Sequence, residues 1–260
     1  MEKKRKNKLH LIQLLLLLIG LSSAALLFYD MVILPRQNQE LAEKLKEEFP
    51  GDTPPGSSSP TGEPKQAGKE PQVSAVDLAS LQEAHPDVRG WLTIPDTGID
   101  YPVLQSGEDN PEYYLRHNYR GEYDVNGSLF LQTGCSLEES PNRIIYGHNM
   151  NSGAMFGNLK KYAGYEYWQK HKEVFFQTKE GMEKYVVAAV LKADVSMFPF
   201  QQVSFRDQEA VEAYVEQAKS RALFETGVSG ADWDTVLTLV TCSYEWKEAR
   251  NIVVAVRAQE

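Results

Sequence analysis

The chain has 260 residues, 42% of them hydrophobic, enough to bury a packed core and too apolar for a disordered polypeptide. Its formal net charge is −9, although the first ten residues contribute +4 through Lys3, Lys4, Arg5, Lys6 and Lys8 against Glu2, so the remainder holds −13. So acidic a body excludes nucleic acid as a partner.

After the basic residues 1–10, residues 11–34 are almost wholly apolar. As a helix they rise roughly 36 Å at about 1.5 Å per residue, enough to cross a bilayer core. The lysines and arginine precede this span, which predicts a cytoplasmic N-terminus and an extracellular remainder, a single-pass cell-membrane protein. Ser22 to Ala25 offers the small residues of a signal-peptide cleavage site. Apolar sequence continues past it through Leu26, Leu27, Phe28, Met31 and Leu34, however, which favours an uncleaved anchor.

Residues 37–49 have a charged helical character, with Leu41 and Leu45 four apart, and extend the membrane helix outward. Residues 50–71 are rich in proline, glycine and serine, which predicts a mobile spacer that holds a domain off the membrane. Together, residues 35–73 read as an extracytoplasmic helical extension and linker, and 74–260 as the folded domain. Asp77 can cap a short helix carrying Leu78 and Leu81, which His85-Pro86 stops.

Eight short β-rich runs follow, at 91–94, 101–104, 128–131, 143–146, 174–178, 184–191, 236–241 and 251–256. A mainly β fold of eight strands suggests a closed barrel. Helices are expected at 159–169 and 207–223, the second capped by Asp207 and inserted before the strand that ends in a cysteine.

Only two cysteines occur, Cys135 and Cys242. Outside the cell they could pair, but a domain of this size does not need a disulfide, so two free thiols are expected, with Cys135 inert in its Gly-Cys-Ser loop. Cys242 closes one apolar strand and Arg250 opens the next, placing thiol and guanidinium at the same end of a hairpin. His148 follows another apolar strand. A thiol becomes a nucleophile as its thiolate, an imidazole can pass protons near neutral pH, and a guanidinium can hold a developing oxyanion.

Taken singly these are a packed cysteine, a loop histidine and a solvated arginine. Together, at strand ends beside polar loops, they point to acyl transfer through a thioester. His85, His117 and His171 lack ligand spacing, and the aromatic residues Tyr162, Tyr165, Tyr167 and Trp168 read as helix packing. Neither a dinucleotide fingerprint nor a phosphate loop appears.

At these residues the chain resembles the class B sortases, membrane-anchored cysteine transpeptidases of Gram-positive bacteria. Thr-Leu-Val-Thr-Cys242 is similar to the family's TLxTC signature, Tyr-Gly-His148-Asn-Met to the surroundings of its histidine, and Arg250-Asn-Ile-Val-Val to those of its arginine. The stretch from Pro86 to Val103 and the helix before the cysteine strand carry the same likeness, which covers about residues 74–257.

The resemblance implies the eight-stranded sortase β-barrel, with Cys242 as nucleophile, His148 as acid and base, and Arg250 as oxyanion or substrate stabiliser. Asn149, Val240, Thr241, Ser243 and Tyr244 are the expected substrate contacts. The implied partners are surface proteins bearing an LPxTG-like or NPxTN-like C-terminal sorting signal, and an amine of a lipid-linked peptidoglycan precursor. Val240, where some class B members place serine, and Gln132-Thr-Gly-Cys135, in place of a more acidic loop, depart from the pattern and bear on substrate preference. With no acidic cluster for calcium, no cofactor is expected. Other readings of the same residues are a pilin-polymerising sortase with a lysine acceptor, a hydrolytic cysteine endopeptidase, and a tethered binding module with a packed cysteine.

Overall fold

The structure is a computed structural model that describes residues 2–29, 33–51, 73–229, 234–243 and 245–258. Its first helix, α1 (Glu2–Phe28), contains an apolar stretch, His10–Phe28, that is long enough to span a membrane and is nowhere buried against the rest of the chain. The expected span ran to residue 34. Leu34 instead opens a second helix, α2 (Leu34–Glu48), with Pro35 in its first turn, where a missing N–H costs no hydrogen bond.

α2 lies against the domain. Leu45 is fully buried, Ala42 and Asn38 nearly so, and Leu41 packs on the same core. Lys46 reaches Asp100 at 2.5 Å and sits 5.3 Å from the ring centre of Trp91. Asn38 donates to Asp124 at 3.2 Å and accepts from Asn126 at 2.9 Å. The leucines four apart, expected only to lengthen the membrane helix, are therefore a docking stripe.

The residues on either side of the expected spacer are brought together. Gly51 donates to Ala75 at 3.3 Å, Asp77 donates to Phe49 at 2.9 Å, and Pro50 bridges Val76. The chain thus leaves for the Pro/Gly/Ser-rich segment, whose residues 52–72 lie outside those described, and returns from it at one place.

Helix α3 (Leu78–Ala84) follows, capped as expected by Asp77, whose carboxylate accepts from Ser80 N–H at 3.1 Å. The eight strands are β1 (Val88–Ile94), β2 (Ile99–Leu104), β3 (Leu129–Leu131), β4 (Asn142–Tyr146), β5 (Glu173–Thr178), β6 (Gly181–Ala193), β7 (Val236–Cys242) and β8 (Arg250–Arg257). They close into a barrel in the order β1-β2-β3-β4-β7-β8-β6-β5. β2 with β3 and β4 with β7 are the parallel pairs, and every other neighbour is antiparallel. Each of the eight expected runs is a strand.

The helix expected at 159–169 is two pieces, a 3-10 helix (Leu159–Ala163) and α4 (Tyr165–Lys170), separated by Gly164 in an extended conformation. Its Tyr162 and Trp168 are buried, so the aromatic cluster packs as expected. Helix α5 (Gln208–Ser220) is shorter than 207–223 and is capped by Asp207, which accepts from Ala210 N–H at 3.0 Å. It buries Val211, Tyr214, Val215 and Ala218, the i, i+3, i+4, i+7 stripe of a helix lying on a sheet.

Strand alternation divides the core in two. Leu237 and Leu239 of β7 face the barrel interior, while Val236 and Val240 face outward under α5. A buried polar knot lies on the outer face between these strands and α5: Thr238 donates to Asn142 Oδ1 at 2.7 Å, and Asn142 donates to the Tyr214 hydroxyl at 3.1 Å.

A protease site placed within 52–72 and cut in the full chain should leave the two fragments associated. Leu45→Asp, which drives a charge into a fully buried position, should let them part on size exclusion. Leu45→Ala should cost about 2–5 kcal/mol in unfolding free energy. Separation of the fragments with α2 intact would contradict the docking.

Candidate active site

The parallel pairing of β4 with β7 sets Tyr146 opposite Val240. Two residues further along each strand come His148 and Cys242. Between them the pairing continues: Gly147 N–H donates to Val240 O at 3.2 Å, and the Thr241 hydroxyl donates to Gly147 O at 2.7 Å. On the other edge of β7, antiparallel β8 puts Arg250 opposite Cys242. Imidazole, thiol and guanidinium therefore stand in one row on three adjacent strands, on the outward face that also carries Val240 and Ile252.

Glycine is required at 147 because a Cβ there would lie 2.4 Å from Leu129 and 2.8 Å from Phe156. That close approach brings the loop after β4 down onto the barrel. The loop then folds back, with Asn149 bridging Met155 and Phe156 N–H donating to His148 O at 3.0 Å.

The row lies along a groove of about 580 Å³. Leu115 and Glu112 form one side, Phe130, Gln132 and Tyr146 the floor, and Phe200 and Gln201, from the segment between β6 and α5, the opposite wall. Tyr146 donates to Gln132 Oε1 at 2.8 Å, and Gln132 Nε2 donates to Gln201 O at 2.9 Å, tying that wall to the barrel.

A larger cavity, about 900 Å³, lies at the other end of the barrel around Arg143, Glu183 and Arg257. Its central charges pair with one another. Glu183 pairs with both arginines and Glu138 with Lys179, leaving a structural ion cluster rather than a reactive group.

The environment of His148 defines its protonation. Its Nε2 lies 2.7 Å from the Leu115 carbonyl, which can only accept, so Nε2 carries the hydrogen and Nδ1 is left for proton exchange. Burial holds the imidazole below its ordinary pKa. The Leu115 hydrogen bond opposes that effect, and the charges of Arg116 and Asp124 oppose each other. The fold thus favours the neutral ring, the state that can take a proton.

Both cysteines are free. Cys242 is partly exposed in the groove. Cys135 is buried near the start of β4, its sulfur 3.5 Å from Asn142 O, and burial pushes its thiol up. Of the expected substrate contacts, Val240 and Thr241 line the groove, although Val240 is wholly buried beneath it and Thr241 spends its hydroxyl on Gly147.

Asn149 and Ser243 each tie an N–H to the scaffold. Asn149 donates to Cys242 O at 2.8 Å, joined there by Asn251 at 3.2 Å, and Ser243 N–H donates to Ala249 O at 2.8 Å. Tyr244 lies outside the described residues. Sequence reasoning missed Glu112, Leu115 and Phe200. None sits in a motif near the row, and only tertiary folding brings them to it.

The sortase domain family matches residues 92–258 of this chain. The chain belongs to the sortase family. Within it the class is B: the chain is 36% identical over 181 residues to sortase B of Listeria monocytogenes, covering 68% of this chain and 72% of that protein. Among solved structures, Clostridium perfringens sortase B superposes with a TM-score of 0.64 at 28% identity, over 70% of this chain and all of that one. Sortase B of Bacillus anthracis, solved in complex with AAEK1, superposes at 0.68 and 25% identity, over 86% of this chain and 96% of that one. The sortase barrel with its helix before the cysteine strand is thus the observed fold.

His148 should titrate, by NMR of its ring protons, with a midpoint below about 6.5. Since the fold depresses this value, the stability it contributes is full above the unfolded value and is lost as pH falls from there through the lower folded value. A midpoint at or above the unfolded value would contradict the burial argument.

Proposed function

We propose that this sortase is a transpeptidase anchored by α1 in the cell membrane, with its N-terminus in the cytoplasm and its barrel on the outer face. It cleaves a C-terminal sorting signal, LPxTG-like or NPxTN-like, and transfers the surface protein to an amine of a lipid-linked peptidoglycan precursor. The observation that carries this reading is the single row of His148, Cys242 and Arg250 along an open groove.

In the first half-reaction neutral His148 takes the Cys242 thiol proton at Nδ1, and the resulting thiolate adds to the carbonyl carbon of the scissile peptide bond. The oxyanion forms beside the Arg250 guanidinium, whose fixed positive charge stabilises it without proton transfer. Protonated His148 gives its Nδ1 proton to the leaving nitrogen, the C–N bond breaks, and an acyl thioester remains on Cys242. In the second half the acceptor amine attacks the thioester carbonyl and loses a proton to neutral His148. The C–S bond breaks, releasing the thiolate and a new amide.

Asn149 and Asn251 serve this chemistry by holding the Cys242 carbonyl from two sides, which fixes the backbone that aims the sulfur. The groove walls favour an extended peptide with an apolar residue against Phe130 and Phe200.

Incubating the full chain with a panel of sorting peptides should give an acyl adduct on Cys242 by intact mass spectrometry, and Cys242→Ala should give none. His148→Ala should slow cleavage about 10²–10⁴-fold, and Arg250→Ala about 10²–10³-fold. With a peptidoglycan-stem amine added, the ligated product should replace the hydrolysed one. Cleavage by Cys242→Ala would end the reading, and a product ratio indifferent to amine would reduce it to hydrolysis.

A further inference from the structure

The segment from the 3-10 turn at Tyr113–Leu115 to β3 touches both the reactive row and the helix that leads to the membrane. Its Leu115 carbonyl accepts from His148 at 2.7 Å, and its Asp124 carboxylate accepts from Asn38 of α2 at 3.2 Å. Asp124 N–H donates to Arg116 O at 2.8 Å and the Arg116 guanidinium donates to Val125 O at 3.1 Å, so the stretch from 115 to 125 is one tied unit. The charges of Arg116 and Asp124 are also felt at His148.

The path from this unit to the apolar helix is short. Asn38 is ten peptide units beyond Phe28, the end of α1, and no extended chain of that length exceeds about 35 Å. Tyr29, the exposed residue that follows α1, lines the same cleft as Leu41, Tyr123 and Val125. Tyr123 is 72% exposed and Val125 38%, an aromatic and an aliphatic side chain that the barrel leaves uncovered beside the membrane exit. A tyrosine with an apolar ring and a polar tip is suited to the boundary between headgroups and water.

We propose that the Cys242 end of the barrel faces the bilayer, with Tyr123 and Val125 seated in the headgroup layer of the outer leaflet next to Tyr29. The occupant of this surface is the lipid in which α1 itself sits, because one cleft runs continuously from the end of that helix to these two side chains. The docked α2 holds the orientation. β4 runs from Arg143, in the ion cluster with Glu183, toward His148, so Lys179 and Glu138 of that cluster's cavity mark the end turned away from the membrane.

The consequence deepens the proposed function and rests on it. The groove opens at the level of the bilayer, where a substrate held by its own membrane segment and a lipid-linked amine can both reach Cys242 without leaving the lipid.

The test uses the full chain carrying Cys242→Ala and Tyr123→Cys, labelled with an environment-sensitive fluorophore; Cys135 is buried and escapes labelling. The protein is incorporated in vesicles of phosphatidylcholine and phosphatidylglycerol that contain headgroup spin-labelled lipid. Lys179→Cys in the same background, an exposed position at the far end, is the comparison. Loss of emission at 123 with emission retained at 179 is the expected result. Vesicle flotation without loss at 123, or with equal loss at both positions, overturns the orientation. Failure to float with vesicles removes the reading of α1 as a membrane span, and the orientation with it. None of these outcomes depends on turnover, so peptide cleavage by the unlabelled wild-type chain reports separately on the proposed chemistry.

Discussion

The parallel pairing of β4 with β7 is the constraint on which the rest of the site depends. A register that sets Tyr146 opposite Val240 also sets His148 opposite Cys242, and the Thr241 hydroxyl on Gly147 carries it past the end of β4. Shifting such a pair by one residue would turn every side chain to the other face, sending the thiol or the imidazole into the barrel. The knot of Asn142, Thr238 and Tyr214 sits at the start of the same pair and is fully satisfied, so it penalises any other register.

The site is built on the outside of the barrel, which requires covering elements to shape it. α5 buries the outward face beneath the strands, and the segment before it supplies Phe200 and Gln201 as one wall. The opposite wall comes from the segment that carries Leu115. Its carbonyl both fixes the tautomer of His148 and links the imidazole to the unit tied to α2. The reactive row and the docked α2 thus share a single stretch of backbone.

Much of this could be read from residue order. Short β-rich runs located all eight strands, Asp77 and Asp207 marked their helix starts, and the strand-end positions of Cys242, His148 and Arg250 singled out three residues that the fold brings into one row. Readings that treated a segment in isolation were revised by its neighbours. Residues 37–49 have a helical pattern whichever side they face, and only the packing of Leu45 and Ala42 showed that the helix docks. Composition said that 50–71 cannot bury a core, but not that its two ends meet. Asn149 and Ser243 stand beside reactive residues in sequence, yet the Asn149 amide N–H and the Ser243 backbone N–H are given to the Cys242 and Ala249 carbonyls.

The sequence by itself determined the apolar N-terminal helix, the eight strands and the chemical identity of the reactive row, because side-chain periodicity and reactive group type are local properties. Tertiary structure alone decided that the row is in register, that burial lowers the His148 pKa while Nε2 is engaged, and that α2 docks on the domain. Each of those facts rests on contacts between residues tens of positions apart, and no local pattern encodes which distant carbonyl or carboxylate a side chain will meet.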